Sequence, residues 1–529
     1  MVRGRSFVVR GALVVAFVLV CAIAVVGAGV IWWSGVTLST DPSALARLEL
    51  QPLAGSVRSL TAYAPDGRAV PVARSHGRLT PRVLVQSGED VRIDVVVRRP
   101  SWLGWLLGHT RRETLSVTTP VAAVVDRWPT LARGAPLELR FTTRVDRVQV
   151  AGLGARRTYS APGRRLSLRK AQRSGTIEVA LAARSWERLA RPVDVTWFPT
   201  THGPAVQVSP RPGTEISALT PIRLTFAKPV GTARPHFTQR EPGNWQLVDS
   251  HTLLFRPASV GFAFGSSLRV RLPARVTVVR RSTTSTAQTL GWTVAAGSLL
   301  RLHQLLAQEA YLPVVWNAAG ADVSRTPAAE VAAAIDPPAG SFAWRFPNTP
   351  PQLARQWNPN EVTQITRGAV MMFEHEHGLT VDGFAGPNVW HALLADAIAG
   401  KQHSGGYSYV YVHTSLPQLL TLWHDGQTIL TSPGNTGIPA TPTQPGTYPV
   451  FEHIPVGEMK GTNPDGSHYD DKGIQWISYF HGGDALHSFN RASFGTPQSL
   501  GCVELPLAAA AKVWPYTPIG TLVTIENPS

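Results

Sequence analysis

The stretch Phe494-Gly-Thr-Pro-Gln-Ser-Leu-Gly-Cys-Val-Glu-Leu505 decides how the C-terminal part of this chain is read. It holds Cys502, one of two cysteines in 529 residues. So few cysteines exclude a disulfide-stapled scaffold. The other, Cys21, sits in an apolar N-terminal run and reads as a buried membrane thiol. An unpaired thiol elsewhere is either a small buried hydrophobe or a nucleophile. The neighbours favour a nucleophile. Gly501 allows close backbone approach by a substrate, and N–H groups around Gly501 and Cys502 suit an oxyanion hole for acyl transfer. A reactive thiolate needs a base. His468, His481 and His487 lie upstream within reach of a hairpin return. His487, in Ala485-Leu-His-Ser488, is the expected base. His481, in Phe480-His-Gly-Gly483, is its rival, or else lines the pocket. Tyr448, Trp476 and Tyr479 are candidate pocket aromatics, with β-core as the equal alternative.

Outward from this stretch the chain is too long for one domain. A hydrophobic fraction of 43% with 16% charged residues excludes wholesale disorder. Residues Gly11 to Trp33 are uncharged and mostly apolar. As a helix they span about 35 Å, enough to cross a bilayer. Arg3, Arg5 and Arg10 precede them and the next charge is Asp41, so the N-terminus is expected inside and the rest outside. Trp32 and Trp33 suit an interfacial belt. A cleaved signal peptide is the alternative; the run exceeds the roughly 7–15 residues of a signal core. Residues 1–34 are therefore read as a cytoplasmic stub and single-pass anchor, with the bulk of the chain in the cell wall.

The formal charge is +16. Residues 44–199 carry 26 Lys and Arg against 12 Asp and Glu, whereas 401–529 carry 5 against 9. An extracytoplasmic chain makes nucleic acid a poor partner; anionic lipid or an acidic wall polymer fits the basic half, beside the plainer reading of solvated strand faces.

Short alternating runs such as Val91-Arg-Ile-Asp-Val95 and Leu137-Glu-Leu-Arg-Phe141, separated by turns such as Pro65-Asp66-Gly67, predict β-sandwich modules over 44–120 and 121–199. Residues 200–297 repeat the style, with Pro210-Arg-Pro-Gly213, Pro221-Ile-Arg-Leu-Thr-Phe226 and Thr252-Leu-Leu-Phe-Arg-Pro257. This third module resembles bacterial immunoglobulin-like spacers. The period then changes. Leu299–Leu306 and Thr363–His377 have helical spacing, with Ile365, Ala369, Met372 and Phe373 on one face. With Gly378-Leu379, Asp382-Gly383, Gly386, Trp390 and Leu393, residues 298–400 resemble a small peptidoglycan-binding helical domain, interrupted by an Ala- and Pro-rich insert at 317–345. His375 and His377 lie two apart on a helix and do not share a face, so they read as solvated polarity rather than metal ligands.

The C-terminal part, 406–527, resembles the L,D-transpeptidase catalytic domain, a mostly-β fold. The residues that carry this are Tyr409-Val-Tyr-Val412, Leu419-Leu-Thr-Leu-Trp423 with Asp425-Gly426, Thr443-Gln-Pro-Gly-Thr-Tyr448, Leu486-His487, Phe494-Gly495 and Ser499-Leu500-Gly501-Cys502. Leu500 stands where the family usually has His, and Glu504 where it has Arg or Asn. A carboxylate there is expected to repel a stem-peptide carboxylate. The resemblance implies attack by Cys502 on a stem tetrapeptide, with His487 as base, the Ser499 carbonyl orienting it, and loss of D-alanine. A neighbouring stem amine then gives a 3→3 cross-link. Water instead of the amine would make it an L,D-carboxypeptidase, and a silent site would leave a wall-binding scaffold. Peptidoglycan stem peptides, wall glycan and the membrane are the expected partners, and no metal or cofactor is required.

Overall fold

Alternation becomes strands along most of the chain in the computed structural model, which describes residues 5–169, 172–201, 203–232, 234–273, 276–279, 284–286 and 288–526. Arg3, expected on the cytoplasmic side, and position 527, the expected end of the last domain, lie outside these residues. The chain divides into two units. One comprises 1–207 with 225–229 and 275–286, the other the remainder.

The first unit opens with the helix Arg5–Trp33. Its Val15–Trp33 part is long and apolar enough to cross a bilayer, as a membrane anchor or a signal sequence would be. Strands follow at once. Val36–Ser39, Ala46–Leu50, Arg78–Pro81 and Val72–Ser75 form one sheet, and Ser56–Tyr63, Asp90–Arg98 and Thr110–Thr118 another. Val91, Ile93 and Val95 are fully buried between them with Leu45, Leu48 and Leu79. Each such side chain contributes roughly 1.5–3 kcal/mol. Asp94 breaks the alternation, because it is buried too; the Thr114 hydroxyl donates to it at 2.6 Å. Trp186, from the later 121–199 stretch, also packs into this core. That stretch has its own five-stranded sheet and a core around Leu137, Val148, Val179 and Trp197.

The second unit begins with a sheet ordered Glu215–Ile216, Thr289–Val294, Ser267–Arg271, His236–Phe237. Four longer helices follow at Leu299–Gln308, Pro327–Ile335, Gln364–Glu376 and Pro387–Ala399. The second of these lies within the Ala-rich insert. Ile365, Ala369, Met372 and Phe373 are buried as their spacing predicts. The Asp382-Gly383 turn is held by Glu374, which is buried and accepts both backbone N–H groups at 3.0 and 2.8 Å. One expectation is corrected here. His377 is not merely solvated: its Nε2 meets Asp396 at 2.8 Å and its Nδ1 the Phe373 carbonyl at 2.8 Å. Between them, Glu376 accepts from Tyr311 at 2.6 Å and pairs with His403 at 2.8 Å. Helix Gln364–Glu376 then approaches the last domain so closely that a Cβ on Gly368 would lie 2.5 Å from the Gly520 carbonyl.

The last domain is two sheets. One runs Gln427–Pro433, Leu419–His424, Ser408–His413, Leu522–Ile525, Gly446–Pro449. The other runs Glu452–Thr462, His468–His481, Asp484–Ser488, Val503–Leu505. Val410, Leu422, Phe480, Leu486, Val503 and Val523 fill the space between them.

Candidate active site

The site is built on a hairpin and one parallel partner. Gly482, with φ of +52°, and Gly483 turn the chain from His481 into Asp484. Strand Asp484–Ser488 then pairs in parallel with Val503–Leu505, Leu486 opposite Val503 and His487 opposite Glu504. Side chains alternate across a strand. Leu486, Val503 and Leu505 therefore enter the core, while Ala485, His487, Cys502 and Glu504 take the opposite face. There Cys502 packs with Ile477, Ala485, Tyr479 and Phe489. The register thus puts the expected nucleophile and base on adjacent strands of one face.

The turn before the thiol is tightly tied. The N–H groups of Gln498 and Ser499 both donate to the Thr436 carbonyl, and the Ser499 carbonyl accepts from Ile438 N–H at 2.9 Å. The Ser499 hydroxyl donates to the Cys502 carbonyl at 2.6 Å and accepts from Gly501 N–H at 3.2 Å. Gly501 has φ of +132°, and a Cβ there would sit 2.3 Å from Asp484 Oδ1. Glycine is needed for both reasons. Because Gly501 N–H is engaged by Ser499, the expected oxyanion contribution from that group is not available in this arrangement.

His487 is buried, and its Nδ1 donates to the Ser488 carbonyl at 2.8 Å. The carbonyl bonded to His487 is thus that of Ser488; the Ser499 carbonyl, expected to hold this ring, is taken by Ile438 N–H. This leaves Nε2 as the acceptor. Burial pushes the imidazole below its usual pKa, which favours the neutral form with Nε2 free to accept a proton. Burial also pushes the Cys502 thiol up to about 12, and the nearby Asp484 and Glu504 carboxylates push the same way. At rest Sγ lies 3.6 Å from the Gly483 carbonyl as a thiol donor.

Around the thiol, Tyr479 shares its face. Trp476 does not; it packs on the core side, its ring 5.2 Å from Trp514. Its φ of +62° is a left-handed conformation rare for so large a residue. His481 is 42% exposed and its Nδ1 is 3.6 Å from Asp484 Oδ2. Its ring lies 4.4 Å from that of Tyr448. These three form a corner beside Gly501. Asp484, which sequence reasoning missed, is the link; burial pushes its carboxyl up.

Arg491 was missed as well. Its guanidinium grips Glu504 with two hydrogen bonds of 2.8 and 2.7 Å, donates to the Gln498 carbonyl at 3.1 Å, and lies 4.6 Å over the Phe489 ring. Glu504 is buried. The expectation that it repels substrate is corrected: its charge is answered inside the protein. The signal was present in the departure itself, since a carboxylate on a core-adjacent strand requires a cation nearby.

No match was found among curated proteins. Several L,D-transpeptidases of known structure are among those similar over parts of the chain. An L,D-transpeptidase from Mycobacterium smegmatis shows 12% identity over 61% of this chain and 99% of that one, with a TM-score of 0.21. L,D-transpeptidase 3 from Mycobacterium tuberculosis, in complex with a faropenem-derived adduct, shows 12% identity over 60% and 97%, TM-score 0.21. The catalytic domain of an E. faecium L,D-transpeptidase shows 23% identity over 22% and 95%, TM-score 0.21. Residues 407–525 match the YkuD family model, described as an L,D-transpeptidase catalytic domain.

Proposed function

We propose that the chain is a cysteine-dependent L,D-transpeptidase that forms 3→3 peptidoglycan cross-links outside the cytoplasm. The observation that carries this is the placement of Cys502 and His487 on one face of paired strands within the family-matching segment. In the proposed reaction His487 Nε2 takes the thiol proton as Sγ attacks the stem carbonyl. The carbonyl π electrons move onto oxygen, and the N–H of Cys502 is the proposed donor to that oxyanion. Collapse breaks the C–N bond; His487 returns the proton to the leaving D-alanine amine. A thioester remains. A second stem's side-chain amine attacks it, His487 receives the amine proton, and Cys502 leaves as thiolate to be reprotonated. Neutral His487 suits this role. His481, Tyr448 and Tyr479 are proposed to line the peptide groove, with Ser499 and Gly501 setting the turn that presents the thiol.

In the same reading, helix Arg5–Trp33 is a retained anchor, the β modules of 44–297 are spacers, and 298–400 docks on wall glycan. Full-length protein, wild type and Cys502→Ala, incubated with disaccharide-tetrapeptide and examined by mass spectrometry, tests the chemistry. D-alanine loss with a cross-linked dimer, absent in the variant, is expected. Hydrolysis without dimer would reassign it as an L,D-carboxypeptidase.

A further inference from the structure

The short helix Ser101–Leu107, Ser-Trp-Leu-Gly-Trp-Leu-Leu, carries no charge. Leu103 is buried beneath it, yet Trp102 is 60% and Trp105 78% exposed. Two tryptophans turned to water on one turn of helix call for a partner. Their position says which. Arg99, just before this helix, donates to its Leu107 carbonyl and, through Nε, to the Ser34 hydroxyl at 3.1 Å. Arg111, just after it, donates to the Ile31 carbonyl. The Leu53 N–H donates to the Trp33 carbonyl at 2.9 Å, and the Gln51 N–H to the Gly35 carbonyl at 3.1 Å. The first β module is therefore bonded directly to the end of the apolar helix Arg5–Trp33. Trp32 and Trp33, at that end, are exposed too.

We propose that Trp102 and Trp105 insert into the headgroup layer of the bilayer that helix Arg5–Trp33 crosses, seating the first β module on the membrane surface. This rests on reading that helix as a retained anchor. Tryptophan favours this layer, having an apolar body and one polar N–H. Charge is complementary: Arg98 is exposed beside the helix, and 44–199 carries 26 basic against 12 acidic residues, suited to anionic lipid. Seating would fix the orientation of the first module at its base, where a lone helix would let it swivel.

The test uses the full chain in nanodiscs of phosphatidylcholine and phosphatidylglycerol, with and without brominated acyl chains. Bromine quenches only tryptophans at the bilayer. Trp102→Ser/Trp105→Ser is expected to lose about half of the quenching seen in wild type, since two of four interfacial tryptophans are removed. Both positions are exposed, so the fold is expected to survive. Equal quenching in wild type and variant, with both chains eluting on the disc, would overturn the seating and leave the anchor standing. A chain that elutes free of the disc would overturn the anchor, and the seating with it.

Discussion

Replacing Arg491 by Met tests whether the departure at Glu504 is balanced within the protein. Glu504 has a side chain 5% exposed and receives both hydrogen bonds from Arg491, itself 31% exposed. Removing one partner of a buried pair costs about 3–5 kcal/mol. Partial exposure of the guanidinium lowers this to roughly 2–4 kcal/mol. For a domain of this size that is about 8–15 °C in Tm. The Gln498 carbonyl and the Phe489 ring lose their partner in the same step, so the loop before Cys502 loosens. Arg491→Met/Glu504→Gln removes both charges and is expected to recover to within about 1 kcal/mol of wild type, because a neutral pair carries no stranded charge. The assay is pulse proteolysis of the full chain across a urea series, with cleavage sites inside 407–526 read by mass spectrometry, which follows opening of the last domain. A single variant within about 0.5 kcal/mol of wild type, or a double variant no better than the single, would refute the reasoning.

Gly501→Ala should abolish acyl transfer, since the new methyl meets Asp484 Oδ1 at 2.3 Å and φ is +132°; adding Asp484→Gly should restore part of it, and no restoration in a turnover assay would speak against steric exclusion. Asp484→Asn should move the rise in Cys502 alkylation rate to lower pH: the ionised carboxylate raises the thiol pKa, and its loss favours thiolate. An unmoved iodoacetamide profile would contradict this. Glu309 is buried with both carboxyl oxygens unpaired, and burial, with Asp396 and Glu330, pushes it up to about 9. A raised carboxyl favours the folded state while protonated, so its contribution is intact below about pH 4.5 and is lost as pH rises through 9. Glu309→Gln should flatten that loss, as read from Tm against pH; an unchanged slope would exclude Glu309 as its source.

Much of the local structure was legible because it is periodic. Val91, Ile93 and Val95, or Ile365, Ala369 and Phe373, announce their buried faces by spacing alone. Gly501 was read as giving a substrate close backbone approach, whereas in the fold its missing Cβ also makes room for the Asp484 carboxyl. What spacing leaves open is register. That His487 and Cys502 share a face depends on Leu486 pairing with Val503 in parallel, a long-range choice that alternation permits without selecting. Arg491 was overlooked and His377 misread for the same reason. Their partners, Glu504 and Asp396, lie 13 and 19 residues away and meet them only in the fold.

The most direct measurement is the intact mass of full-length protein trapped with a stem tetrapeptide when no acceptor amine is present. The account predicts an adduct equal to the donor minus D-alanine, mapped to Cys502, absent in Cys502→Ala and strongly slowed in His487→Gln. No adduct in wild type, or an equal adduct in Cys502→Ala, would contradict it.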